Sequence, residues 1–177
     1  MGAEEVLKFW FERDRKAWFE KNPAFDGEIR QRFLPLYELG AAGKLEAWKQ
    51  TPAGCLALIV LLDQFPRNMF LNSARAFAAD PLALDAARHA VAMGYDLGMS
   101  DDERAFTYLP FEHSESLADQ NRGCALMNPL GEEVYRYALR HKEIIQRFGR
   151  FPHRNAALGR ASTPEELEFL KQPGSAF

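Results

Sequence analysis

The chain has few cysteines, no long apolar run and no excess of basic residues, and each of these absences excludes a class of protein. Its two cysteines, Cys55 and Cys124, lack the paired spacing of a zinc site or a redox motif. The longest apolar run, residues 55–62, has eight residues, whereas a membrane span needs about 18. The net charge of −3 disfavours a nucleic-acid-binding module, which usually carries a basic face. We therefore predict a protein that binds neither membranes nor nucleic acids.

The predicted location is the cytoplasm. Residues 1–6 are acidic and lack the basic and apolar regions of a secretory signal, so export is not expected. The cysteine usage agrees with this, because small exported proteins are typically rich in disulfides.

Helix signals recur along the sequence, and no comparable pattern indicates strands. Thr51-Pro52 and Asp80-Pro81 each have a capping side chain before a proline, as at helix starts, with Asp80 as a predicted N-cap. Residues 100–103 (SDDE) and 163–166 (TPEE) match the capping box. These starts, separated by short connections, predict an all-α fold of about eight to ten antiparallel helices in a single domain, residues 1–177.

The apolar run 55–62 is followed directly by Asp63, and Pro66 comes three residues later. A run that is apolar on every side belongs at the centre of the domain, and Pro66 is expected to end its helix near Phe65. Asp63 should then be largely buried and in need of a partner. It could simply anchor a turn or pair with Arg67 or Arg150, or it could orient an arginine or histidine at a binding site.

An acidic segment, residues 112–119, carries three carboxylates and no basic residue. If residues 111–127 form one helix, Glu112, Glu115 and Asp119 lie in a stripe about 60° wide. The stripe could be a solvated face, an ion-pair partner for basic residues, a metal site or an acid–base pair. His113 and His141 fit buried core positions better, and no metal-ligand spacing is present, so no metal site is predicted.

A basic segment, residues 147–160, carries four arginines and no acidic residue. Gly149 and Pro152 interrupt regular helix, which predicts a turn that presents Arg150, His153 and Arg154. Forked guanidinium donors on a turn suit phosphate or carboxylate. The same arginines could instead neutralise the acidic segment and Asp63 within the molecule. Opposite charges sorted into two segments predict that the segments become neighbours in either case.

No nucleophile or cofactor motif stands out. Ser114 and Ser116 are not in a nucleophile elbow, and there is no glycine-rich phosphate loop. The sequence therefore names no cofactor and no covalent chemistry.

Taken together, these segments resemble the bacterial family catalogued as domain of unknown function 924. The residues that carry the resemblance span nearly the whole chain, in order: 6–11 (VLKFWF), 62–68 (LDQFPRN), 75–80 (RAFAAD), 110–115 (PFEHSE), 117–120 (LADQ), 147–155 (RFGRFPHRN), 158–160 (LGR) and 162–163 (ST). The resemblance implies helix hairpins in a tetratricopeptide-like superhelix. It implies no reaction, because a fold does not fix a function.

The leading hypothesis is a protein that binds a small anionic metabolite at a cleft. Its predicted ligand-binding residues are Asp63, Arg67, His113, Arg150, His153 and Arg154. One alternative is a protein-interaction module that holds a peptide on a helical superhelix. Another is a hydrolase or lyase in which His153 works with Glu115 or Asp119 as acid and base. The oligomeric state is not predicted.

Overall fold

A computed structural model describes residues 1–177. It is all-α and contains no strand, which confirms the predicted fold class and the predicted number of helices. The α-helices are α1 (Ala3–Phe11), α2 (Pro23–Ala41), α3 (Pro52–Ile59), α4 (Phe65–Met69), α5 (Asp80–Ala92), α6 (Asp101–His113), α7 (Leu117–Met127), α8 (Glu132–Phe148), α9 (Asn155–Leu158) and α10 (Pro164–Leu170).

Every helix is too short or too polar to cross a membrane.

The chain divides into two compact units. The first consists of residues 1–71 and 75–110, and the second of residues 72–74 and 111–177. The single domain and the tetratricopeptide-like superhelix stay predictions.

The core of the first unit is built around the apolar run 55–62. Every residue from Cys55 to Leu62 is at most 2% exposed. The run packs against α1, α2 and α5, and α2 also packs against α4. Burying one such aliphatic side chain contributes about 1.5–3 kcal/mol. The predicted central position of this helix is confirmed.

Pro66 does not end that helix, so this prediction was wrong. Between α3 and α4 the backbone widens into a π-helical turn, Val60–Gln64, in which the Phe65 N–H donates to the Val60 carbonyl. A proline inside an α-helix would collide with the carbonyl four residues earlier. The wider turn removes that collision, and the helical path continues to Met69.

The second unit is organised by α7 and α8, which pack together. Ala138, His141, Ile144 and Ile145 are the buried residues of α8. The helix ends as predicted at Gly149, whose φ of 72° is a left-handed conformation that favours glycine. Gly123 of α7 also has a steric role, because a β-carbon there would lie 3.1 Å from Cβ of Phe111.

Residues 111–127 do not form one helix. α6 ends at His113 and α7 begins at Leu117. The Gln120 amide donates to the carbonyls of Glu112 (2.6 Å) and Ser114 (2.7 Å), and so satisfies backbone oxygens that the break leaves without helical partners. Ser114 Oγ donates to Asp119 Oδ2 over 2.7 Å. The predicted stripe of three carboxylates is therefore wrong, because the break separates its members.

Candidate functional site

The π-helical turn of the first unit holds the first group of charged residues. Asp63 is fully buried, and its Oδ2 accepts a 2.6 Å hydrogen bond from the Gln64 amide. Arg67 Nη1 donates to the Asp63 carbonyl oxygen over 2.7 Å and lies 3.6 Å from Asp63 Oδ1. Arg67 also forms a bidentate pair with Asp80, with distances of 2.8 and 3.0 Å.

The charges in this group stabilise each other. Burial acts to lower the pKa of Arg67, but the carboxylates of Asp63 and Asp80 outweigh it and raise that pKa above its usual value. Arg67 is therefore a permanent cation. Asp80 is not the predicted N-cap: Ala79 takes that position without a capping side chain, and the Asp80 carboxylate binds Arg67 instead.

In the second unit, Glu115 joins the acidic segment to the basic one. It lies in the break between α6 and α7, where its Oε2 accepts a 2.8 Å hydrogen bond from the Phe151 N–H. Arg160 Nη1 donates to both Glu115 oxygens, over 2.8 and 3.1 Å. Arg160 also reaches the Asn155 side chain (3.0 Å) and the Phe151 carbonyl (3.1 Å). The predicted proximity of the two segments is therefore present within this unit.

Glu166 is the second carboxylate of this network. It completes the predicted capping box of α10 with Thr163. Arg150 donates to it through Nε and Nη2, each over 3.0 Å, and Asn155 donates to it over 2.7 Å. The bond from Arg150, followed by those from Thr163 and Asn155, holds the pKa of Glu166 below its usual value although burial opposes this. Arg150 also donates to the Ala161 carbonyl over 2.7 Å.

Arg154 is buried beside His113. Its Nη2 donates to the His113 carbonyl over 3.0 Å, and its guanidinium carbon lies 4.5 Å from the centre of the Phe151 ring. The predicted turn is in fact a 3₁₀ helix, Pro152–Arg154, which leads directly into α9. The 3₁₀ turn directs His153 and Arg154 into the unit, whereas Arg150 precedes it.

Three histidines of the second unit lie together, and we call His113, His141 and His153 with Arg154 the histidine cluster. The His113 and His141 ring centres are 6.2 Å apart. Phe151 lies between the other members, with its ring centre 5.8 Å from both His141 and His153. His141 lies in the core as predicted, but the grouping itself was not predicted.

His141 has an unusual electrostatic environment. It is 5% exposed, and its Nδ1 donates to the Tyr137 carbonyl over 2.8 Å. Its pKa is lowered to about 3, chiefly by burial; the neighbouring His113, Arg154 and His153 act in the same direction, and the bond to Tyr137 opposes them. The ring is therefore neutral at physiological pH, and its 3.5 Å approach to the buried Glu112 carboxyl is not an ion pair.

Phe177 covers one face of His141. The two ring centres are 3.8 Å apart and the planes are inclined by 23°. The Phe177 ring is also 6.2 Å from the His153 ring and 5.4 Å from the guanidinium carbon of Arg140.

The predicted site residues thus fall into both units. Asp63 and Arg67 lie in the first, and their part in an anion site stays a prediction. His113, Arg150, His153 and Arg154 lie in the second, as do Glu115 and Asp119. Arg160 and Phe177 were not predicted, and Glu166 was predicted only as a capping residue. The capping box could have indicated Glu166, because it places a carboxylate at the start of α10, a few residues after the basic segment.

No group of three or more His, Cys, Asp and Glu side chains has the geometry of a metal site.

The model of the bacterial family of unknown function DUF924 matches residues 6–174. A solved structure of a protein of unknown function from Agrobacterium tumefaciens is 43% identical in sequence, with a TM-score of 0.93, over 96% of each chain. No curated protein matches the chain. The length of the family match and the close structural likeness lead to one conclusion: this chain belongs to the DUF924 family.

Proposed function

We propose that the protein binds a small anionic metabolite, carrying a phosphate or carboxylate group, at the histidine cluster of the second unit. The observation that carries the proposal is the grouping of His113, His141 and His153 near the Phe151 ring, with the buried Arg154 guanidinium carbon 4.5 Å from the centre of that ring. The buried Arg154 guanidinium favours a negative ligand, because the attraction between charges increases where water is excluded.

The members of the cluster would have different roles. Arg154 supplies a charge that does not titrate and a planar set of donors suited to carboxylate or phosphate. His153, which is only partly buried, would donate to the ligand or exchange a proton with it. Arg150 would contribute through Nη1, since Nε and Nη2 are bound to Glu166 and Ala161.

The network around Glu115 would hold these groups in position. The bond from the Phe151 N–H to Glu115 fixes the start of the 3₁₀ helix that carries His153 and Arg154. Preorganised binding groups need such support, because a site that is loose by about 1 Å binds poorly. The interaction module and the hydrolase or lyase with His153, Glu115 and Asp119 stay predictions.

The experiment is titration calorimetry of the purified protein with inorganic phosphate, acetate and panels of phosphorylated and carboxylated metabolites. We expect saturable binding that weakens at least about tenfold in His153→Ala, the loss of about 1.4 kcal/mol that one charge-assisted hydrogen bond represents. Arg154→Lys keeps the charge and removes the fork, so it should weaken ligands that are bound bidentately.

Two control variants match these changes. His89→Ala removes the histidine of the first unit, and Arg136→Ala removes an exposed arginine of α8. Neither should alter binding. Absence of saturable binding to any anion at millimolar concentration would reject the proposal, as would binding that His153→Ala and Arg154→Lys leave unchanged.

A further inference from the structure

Phe177 is the side chain that stacks most closely in the histidine cluster. Its centre is 3.8 Å from that of His141, whereas the other ring pairs of the cluster are separated by 5.8 Å or more. Since His141 is neutral and otherwise enclosed, the face that Phe177 covers is a flat, weakly polar surface suited to another planar ring.

The contacts that hold Phe177 are few. Phe177 remains 45% exposed, although it covers a residue that is 5% exposed. The segment before it is attached by single hydrogen bonds, from Arg140 Nη2 to the Gly174 carbonyl (3.3 Å) and from Ser175 Oγ to the Leu170 carbonyl (3.2 Å). A partly exposed ring on a segment held by so few hydrogen bonds can be displaced by a competing ring.

A histidine and an arginine border the position of the Phe177 ring. His153 is 6.2 Å away on one side, and Arg140 is 5.4 Å away. An anionic substituent on a ring at this position would therefore meet a cation or a hydrogen-bond donor. The Phe151 ring lies next to His141, with the two ring centres 5.8 Å apart.

We infer that Phe177 occupies the position of an aromatic ring of the ligand, so that the ligand class is an aryl anion, a planar ring bearing a carboxylate or a phosphate. The inference rests on the proposed anion-binding function. It adds the chemical class of the uncharged part of the ligand, which is an aromatic ring. Phe177 would act as an internal competitor that leaves when the ligand ring stacks on His141.

The test compares aryl anions with matched anions that have no ring: benzoate with acetate, and phenyl phosphate with inorganic phosphate. We expect benzoate or phenyl phosphate to bind more tightly than its partner. Phe177→Ala should raise the affinity for the aryl anion by about 2- to 10-fold, the value of one aromatic pair, and leave the ringless anion unchanged. Leu167→Ala, which removes an exposed apolar side chain of α10, should have no effect.

A second variant and a second measurement keep the test decisive. Gly174 has a φ of 76°, a conformation that alanine adopts only with strain, so Gly174→Ala should loosen the segment while keeping the ring. It should raise aryl-anion affinity as well. In proton NMR, the His141 ring signals should move when Phe177 is removed and move back when benzoate binds, because each stacked ring shields them.

The outcomes separate the two proposals. If acetate or phosphate binds through His153, but rings add no affinity or Phe177→Ala leaves benzoate binding unchanged, the aryl inference is wrong and the anion site stands. If none of the four anions binds to the natural chain or to Phe177→Ala, both are wrong.

Discussion

Replacing Arg160 by alanine tests the network that joins the acidic and basic segments. The change removes the bonds to both Glu115 oxygens, to the Asn155 side chain and to the Phe151 carbonyl. A hydrogen bond to a charged group contributes about 1.5–3 kcal/mol when buried, and less when water screens it. Arg160 and Glu115 are each about one-quarter exposed. We therefore expect Arg160→Ala to lower the free energy of unfolding by about 2–3 kcal/mol in total.

Urea denaturation followed by circular dichroism measures this loss. For a chain of this size each kcal/mol shifts the melting temperature by about 2–4 °C, so a fall of roughly 4–12 °C should accompany it. The exposed Arg136→Ala is the matched control and should stay within about 0.5 kcal/mol of the natural chain.

A double-mutant cycle isolates the contribution of the pair. Glu115→Ala, Arg160→Ala and the double variant should give a coupling energy of about 1–2 kcal/mol, because the two side chains are in direct contact. A coupling below about 0.3 kcal/mol would refute the structural role given to Glu115. It would return Glu115 to the candidates for acid–base chemistry.

Two further predictions concern buried titratable groups. The folded pKa of His141, about 3, lies below its unfolded value of about 6.5, so stability should be highest above pH 6.5 and fall as the pH decreases towards 3. His141 should contribute at most about 1.4 kcal/mol per pH unit to the slope of the unfolding free energy against pH, and this contribution should be absent in His141→Gln. Equal slopes in the two proteins would contradict the low pKa of His141. Tyr108→Phe removes the 2.5 Å hydrogen bond to the buried Asp96 carboxylate and should cost about 2–3 kcal/mol in urea denaturation. Tyr135→Phe is its control, and equal stabilities of these two variants would disprove the importance of the bond.

The fold was predictable where the signals are local. Thr51 and Thr163 cap helices as expected, Gly149 ends α8, and the apolar run 55–62 is the core, because each of these depends on one side chain or on composition within a few residues. The prediction that Pro66 ends the helix was wrong, because local rules describe the cost of a proline in an α-helix. They do not predict the π-helical turn that accommodates it.

The candidate site was predictable only as a pair of segments. Charge sorting indicated that the acidic and basic segments would meet, and Glu115 with Phe151 and Arg160 shows that they do. The individual pairs depend on the break at residues 114–116. Bonds from the Gln120 side chain to carbonyls six and eight residues earlier stabilise this break, and helix periodicity does not predict them. Phe177 lies far from His141 in sequence, and therefore no spacing rule could connect them.

The π-helical turn Val60–Gln64 also sets the angular phase of α4. A widened turn accommodates one residue more than an α-helical turn, and each residue of an α-helix rotates by about 100°. Deleting one residue from this turn would swing Arg67 by that angle around the helix axis, away from Asp80. The turn thus allows one continuous helical segment to be apolar on every side over residues 55–62 and still to direct Arg67 towards Asp80.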